Sequence, residues 1–514
     1  MQGDSNVAPQ GWISVDVGTV TLEIVSGSGF PKEHQGDSSG DHPFAKVGDI
    51  SRVFRANQKY INGAGHFISE ETRIEIKARI FPKGSIVFPK IGEALRNNYR
   101  VVTGREMLFD NNVMGIIPDT EIVSVDFLYH FLTIQDFGKF AVATAIPSVR
   151  RGDVASIALQ LPPLREQHRI VAKIEELFSE LDQGVASLKA AREQLKVYRQ
   201  SLLKNAFEGK LTAAWRAAHR DQLETAAALQ QRITRERQAR YQQQLADWQA
   251  AGQSGPKPKP PKPLPPLTAE KLAELPELPV GWGWMKYGDL CSLVRNGISA
   301  KPEGDSGTPI FRISAVRPMC FDMADIRYID NSSGEFDAYG LERGDLVFTR
   351  YNGSRQYVGV CAEYRSDEKR LFPDKLVQTR VFSKLLLTSF LEKALNSGAS
   401  RAFVESKIRT TAGQSGVSGE DIKNIPVPVC CFDEQLEIVQ ELESKLSEAD
   451  QLELTLATAL QQADALRQSI LKKAFSGQLV EQDKNEEPAT ALLERIRAEK
   501  SNGMKKPSKQ RKSG

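Results

Sequence analysis

The chain has 514 residues, 40% hydrophobic and 26% charged, with 68 basic against 65 acidic side chains for a net charge of +3. That balance excludes wholesale disorder, and the length suits about three domains at ~150 residues each. Five cysteines without a CxxC pair exclude a disulfide scaffold and a Cys-rich zinc site. No stretch nears ~18 consecutive apolar residues, and so small a net charge confines any nucleic-acid contact to local clusters.

The polar start, Met1 to Asn6, lacks a basic run followed by an apolar one, so no secretory signal is expected. The sparse cysteines fit a reducing cytoplasm. The first variable region holds short β-rich runs such as 73–80, turn signals, and a helical stretch at 127–135. After the strand Ile86-Val87-Phe88 comes a loop rich in DNA-contact side chains, with Lys90, Arg96, Asn97, Asn98, Tyr99 and Arg100 as candidates.

A long helix is expected over 166–206. Ile174, Leu177, Leu181, Leu188, Ala191, Leu195, Tyr198 and Leu202 recur in steps of three and four, apart from Gly184 at one expected position, the spacing of a coiled-coil seam. Gly209 stands where this helix should stop. About 40 residues at 1.5 Å each make a rod of roughly 60 Å. A polar helical segment at 217–250 leads into a proline run, 256–266, which favours extended polyproline geometry and a semi-rigid spacer.

A second variable region follows, again with short strands and a helical stretch at 389–395. Behind its own strand Leu346-Val347-Phe348 lie Arg350, Tyr351, Asn352, Ser354, Arg355, Gln356 and Tyr357, which join Arg312 as DNA-contact candidates. Arg, Asn and Gln make bidentate contacts to guanine or adenine edges, while Tyr and Ser add backbone contacts. Each variable region should be a mixed α/β globule with one sheet. A second seam runs through Leu442, Ala449, Leu452, Leu456, Ala459, Ala463, Leu466 and Ile470 to Gly477. Val171, Phe178 and Ile438 are expected on outer faces of the two helices, awaiting a partner. The tail from Met504 is basic, with Lys505, Lys506, Lys509, Arg511 and Lys512, and is expected to be disordered.

The chain repeats itself. Residues 166–211 lie on 434–479 without a gap, and 21 of the 46 positions are identical. Pro9-Gln10-Gly11-Trp12 answers Pro279-Val280-Gly281-Trp282. Lys83 to Phe88 answers Arg343 to Phe348, and 491–496 echoes 228–233. Two half-copies of a variable region and a shared helix make up the protein, and the matching seams favour packing of the two helices on each other.

Catalytic motifs are missing from the sequence. There is no GxxxxGK[ST] phosphate loop and no polar-Pro-Pro-aromatic run of the amino-methyltransferase kind, and the six histidines are scattered. Gly27-Ser28-Gly29 reads as a plain turn. Glu75-Ile76-Lys77, with Asp49 upstream, is a faint trace of a Mg²⁺ nuclease on an apparent strand. A coiled-coil scaffold without DNA recognition is a further alternative.

Taken together, several segments resemble the DNA-specificity subunits of type I restriction–modification enzymes. They are Leu161-Pro162-Pro163-Leu164-Arg165-Glu166-Gln167, its diverged partner 427–439, the helix exit 203–211, Leu275 to Trp282, Phe348 to Ser354 and Phe109 to Gly115. Cys430-Cys431-Phe432 and the insert 214–268 depart from the pattern.

The resemblance implies an α+β chain of two mixed α/β target-recognition domains, separated by an antiparallel coiled coil of two long helices in a pseudo-two-fold repeat. The expected divisions are 1–160 and 276–430 for the recognition domains and 161–213 and 431–480 for the helices. The insert and linker fall at 214–275, and a C-terminal helix with the tail at 481–514. It also implies a bacterial or archaeal, cytoplasmic, non-catalytic subunit that reads a bipartite double-stranded DNA target, with no membrane partner. Two methyltransferase subunits, which methylate adenine N6, and two restriction/translocase subunits would assemble on it. No cofactor is expected on the chain itself; S-adenosylmethionine, ATP and Mg would belong to those partners.

Overall fold

The computed structural model of the chain describes residues 9–140, 147–302, 305–382, 384–411 and 413–503. The expected basic tail and the polar start fall outside them. The chain folds as two compact units, 1–189 with 457–514, and 190–456.

In the first unit, a five-stranded sheet runs in the order Thr21–Ser26, Val113–Pro118, Ile86–Pro89, Val101–Thr103, Tyr60–Ile61. A three-stranded sheet joins His66–Ile68, His42–Ala45 and Leu108–Phe109. Helix Val125–Thr133 buries Phe127, Leu128, Phe131 and Leu132 in one core with Ile86, Phe88 and Ile116. The second unit has a four-stranded antiparallel sheet, Cys291–Asn296, Leu376–Val381, Leu346–Thr349, Cys361–Glu363, and a three-stranded one, Tyr351–Asn352, Gln414–Gly416, Arg409–Thr411. Each variable region therefore has more than one sheet, against the expectation of one. Alternation marks a strand but not its partner, and these strands of two to six residues end at turns that redirect the chain.

The run 73–80 is not a strand. Glu70–Glu75 is a helix, capped by Ser69 Oγ accepting from Thr72 N at 3.2 Å, with Arg73 paired to Glu70 three residues back. The chain then leaves through Lys77 at φ 53°. Capping and the ion pair outweigh the β-like alternation. Glu75 and Lys77 are both exposed and share no strand, so the nuclease trace has no geometry behind it.

The two long helices are Leu164–Phe207 and Phe432–Phe475. Within the first unit, the start of one packs on the end of the other. Ile170 and Ile174 share a core with Ile470, Leu471 and Ala474, and Arg467 pairs with Asp182 while lying 4.4 Å over the Phe178 ring. Within the second unit, Leu202 and Leu203 meet Ile438 and Leu442, with Arg192–Glu453 at 2.7 Å and Arg199–Asp450 at 2.8 Å. The pairing is antiparallel in both.

The expected seam is shifted at three positions. Ile174, Leu195, Leu202, Leu442, Ala449, Ala463 and Ile470 are buried, but Tyr198, Leu452 and Leu466 are 45%, 56% and 51% exposed. One residue further on, Arg199, Glu453 and Arg467 turn inward instead, each satisfied by a charge on the opposite helix. Val171 and Ile438 do not face outward either: both are buried, each in the core of its own unit. Phe178 lies half-buried beneath Arg467.

Both helices stop at the expected glycines. Gly209 and Gly477 adopt φ of 69° and 72°, and a Cβ on either would come within 2.4 Å of a proline ring carbon, Pro279 and Pro9 respectively.

Candidate nucleic-acid interface

In both halves the candidate loop leaves the strand that carries Val-Phe, Ile86–Pro89 or Leu346–Thr349, but the two loops then diverge. In the second unit, Leu346–Thr349 sits at the sheet centre, and Arg350 is held by Arg350 N to Lys375 O at 2.8 Å and Val417 N to Arg350 O at 3.0 Å. This brings Tyr351–Asn352 alongside Gln414–Gly416.

The result is an open groove of about 510 Å³. Its lining includes Arg312, Arg317, Arg327 and Lys375 with Tyr351, Asn352 and Gln414, against one carboxylate among the described residues, Asp374. Arg312 and Arg327 are exposed, and Arg312 is only loosely paired, 3.6 Å from Asp325. Cationic side chains beside an aromatic ring and two amides are what phosphate positioning and base-edge reading require.

The remaining candidates flank this groove. The Arg350 guanidinium lies 4.9 Å over the Tyr351 ring, and its Nε is buried without a hydrogen-bond partner among the described residues. Asn352 Oδ1 accepts from Ser354 N at 2.9 Å, which shapes the turn. Ser354, Arg355 and Gln356 are exposed on the 3-10 turn that follows, and Tyr357 stacks under Arg317 at 4.5 Å.

In the first unit, the loop is tied down. Lys90 is half-buried, its backbone bonded to Asn112 and Val149, and burial and the charge of Arg151 lower its pKa. Arg96 and Asn97 are exposed at the end of the short helix Glu93–Arg96. Asn98, at φ 59°, donates to Gln135 O at 2.8 Å, and Tyr99 packs on Phe54 at 4.9 Å.

Arg100 is 1% exposed. Its guanidinium donates to Asn98 O at 3.0 Å, Asn98 Oδ1 at 2.7 Å and Gln135 O, and stacks 4.1 Å over Phe137. Burial pushes its pKa down to about 9. Arg100 and Asn98 thus hold this loop to its neighbours, a structural task in place of the expected DNA contact.

Sequence reasoning missed Arg317, Arg327, Lys375 and Gln414. They lie on short strands and connections dispersed over a hundred residues, and only the alternation Ile326-Arg327-Tyr328 hinted that one of them points outward.

The Glu-Gln pair at the start of each shared helix anchors it to the turns and helix starts of the adjoining variable region. Glu166 Oε1 accepts from Trp12 Nε1 at 3.0 Å, and Glu434 Oε2 from Trp282 Nε1 at 2.8 Å. Gln167 accepts from Ser124 N and donates to Pro162 O and Ile122 O. Gln435 accepts from Leu387 N and donates to Cys430 O. Glu434 also receives Thr212 Oγ1 and Arg216, both at 2.8 Å.

The chain that carries this repeated construction and this cationic groove is similar to DNA-specificity components of type I restriction–modification systems. Residues 11–188 match the type I restriction modification DNA specificity domain. The EcoKI specificity subunit of Escherichia coli K12 is 28% identical, with 98% of each chain covered, and the StySPI specificity subunit of Salmonella potsdam is 24% identical over the same shares. The fold is shared with the HsdS subunit from Thermoanaerobacter tengcongensis (TM-score 0.51, 18% identity, 93% of this chain and 100% of that one). A chain from a structure of type I R-M complex assembly and conformational transition gives a TM-score of 0.58 at 18% identity, covering 92% and 99%. Over nearly its whole length the chain is similar to specificity subunits of type I restriction–modification enzymes. Among the described residues, no helix is long and apolar enough to cross a membrane.

Proposed function

We infer that this chain is the sequence-reading subunit of its complex and performs no catalysis. Each unit reads one half of a bipartite double-stranded DNA target, and the two long helices set the gap between the halves. The observation that carries this is the groove of Arg312, Arg317, Arg327 and Lys375 floored by Tyr351, Asn352 and Gln414. Two similar halves in one chain allow an asymmetric target while offering two like docking sites to one partner. Two methyltransferase subunits, with S-adenosylmethionine, and two restriction/translocase subunits, with ATP and Mg, would bring the chemistry in a cytoplasmic complex.

A domain exchange tests the reading. Replacing residues 276–430 with the corresponding region of a relative should change one half-site and leave the other intact. A chimaera that folds and keeps both half-sites would refute it.

A further inference from the structure

The segment 214–268 lies between the first long helix and the second variable region. Helix Ala226–Ala250 begins as the C-terminal helix Ala489–Gly503 does. Ala226 N donates to Gly281 O at 2.7 Å and Ala489 N to Gly11 O at 3.0 Å. Ala226, Leu229 and Ile233 enter the core of the second unit as Ala489, Leu492 and Ile496 enter that of the first. This is the repeat already seen in sequence. Beyond Ile233 the insert helix continues on its own, turns at 251–255, and the proline run returns along it.

The return is fixed at both ends. Trp248 Nε1 donates to Gly255 O at 3.1 Å and Lys257 lies over the Trp248 ring at 5.9 Å. At the base, Asp289 takes both Arg237 and Leu264 N at 3.2 Å. Beyond Ile233 the half-buried positions on the helix are Glu236, Arg237, Tyr241, Leu245 and Trp248, and the last four make a helical stripe. On the proline run they are Pro258, Pro261, Leu264 and Leu267, every third residue. A polyproline helix has three residues per turn, so these form one inward row. The two rows close a hairpin of one helix and one polyproline strand.

What this arm shows to solvent is charge. Between 234 and 263 there are six basic and two acidic side chains, a net +4 in thirty residues, where the whole chain carries +3. Arg235, Arg240, Lys257, Lys259 and Lys262 are all exposed, and among the described residues none of them has an acidic partner within an ion-pair distance. No large apolar side chain of this stretch is strongly exposed. A surface of cations and glutamines without an apolar anchor suits a phosphate backbone, whereas a protein interface needs a desolvated apolar centre.

We propose that the helix–polyproline arm 234–263 is a second DNA contact, a sequence-independent clamp on the phosphate backbone that acts apart from the groove at Arg312 and Arg327. It rests on the reading of the chain as a DNA-binding subunit. Its role is to hold the duplex electrostatically while the groove reads bases.

The test is fluorescence anisotropy of the full chain on a 40-base-pair duplex of random sequence, across a salt series. The variant carries Arg235→Gln, Arg240→Gln, Lys257→Gln, Lys259→Gln and Lys262→Gln, all at exposed positions. Each phosphate contact contributes about 0.9 to the slope of log affinity against log salt, so the slope should shallow by roughly 3 or more, with at least a tenfold loss at low salt. A control with Lys257→Arg, Lys259→Arg and Lys262→Arg should keep the original slope. An unchanged slope in the five-fold variant overturns the proposal, as does an unchanged slope together with lost co-purification of a modification subunit, which would make the arm a protein contact. If the unaltered chain itself fails to bind duplex at low salt, the DNA-binding reading fails instead.

Discussion

The indole Nε1 of Trp12 and the carboxylate of Glu166 meet at 3.0 Å across 154 residues of sequence, and Trp282 and Glu434 repeat the contact at 2.8 Å across 152. Each bond ties the segment that opens a half to the helix that closes it. The Pro-x-Gly-Trp and Glu-Gln motifs of the repeat therefore answer each other in space. A buried carboxylate so placed carries stability as well as geometry.

Glu434 has three donors around it, Trp282, Thr212 and Arg216. Glu434→Ala leaves Arg216 without its buried partner and should cost about 3 kcal/mol. Among the described residues no arginine pairs directly with Glu166, so Glu166→Ala should cost less. Urea unfolding of the two variants checks the order; equal losses, or no loss for Glu434→Ala, would contradict it.

His130 gives a pH dependence. It is buried against Tyr129 and Phe178, its Nε2 unpartnered, and burial with the charge of Lys59 brings its pKa down from 6.5 to about 4. The folded state thus holds the ring neutral while the unfolded chain protonates it. Stability is full above about pH 6.5 and falls as the pH drops toward 4, by roughly 3 kcal/mol over that window. His130→Phe should flatten the loss of melting temperature between pH 7 and 5. Parallel curves for variant and parent would rule His130 out as the source.

Arg100 and Arg327 separate structural from DNA-facing arginines. Arg100→Ala removes a buried, stacked guanidinium and should lower stability by about 2–4 kcal/mol. Arg327→Ala should leave the melting temperature within a degree and cost about 1–3 kcal/mol in binding the cognate site if it reads a base edge. An equal loss on random duplex would assign it to phosphate. No loss on either would remove it from the interface.

Spacing is a separate property. Four residues inserted into the exposed middle of one long helix add roughly 6 Å of rise. The preferred gap between half-sites should lengthen by about one or two base pairs, with the half-site sequences unchanged. Footprinting on a library of gap lengths reads this directly; an unchanged gap in a folded variant would mean that the helices do not set it.

The helices, their stops at Gly209 and Gly477 and the internal repeat were legible in the sequence because they rest on local periodicity and on identity between copies. The seam was legible except at Tyr198, Leu452 and Leu466. Leucines at 452 and 466 matched the spacing, but cross-helix ion pairs drew Glu453 and Arg467 inward instead. Of the site, the loop after Leu346–Thr349 was found through its composition, whereas Arg317, Arg327 and Lys375 converge only through sheet topology. Arg100 looked like a DNA contact because sequence does not reveal that Phe137 and Gln135 fold over it.

The most direct measurement is the adenine methylome of the host with the gene intact and disrupted. The expected result is the loss of one bipartite adenine motif on disruption, restored by the intact gene and, with the variant Arg312→Ala/Arg327→Ala, restored only weakly or with one half-site relaxed. An unchanged methylome on disruption, or full restoration of the motif by that variant, would contradict the assignment of this chain and its groove to sequence recognition.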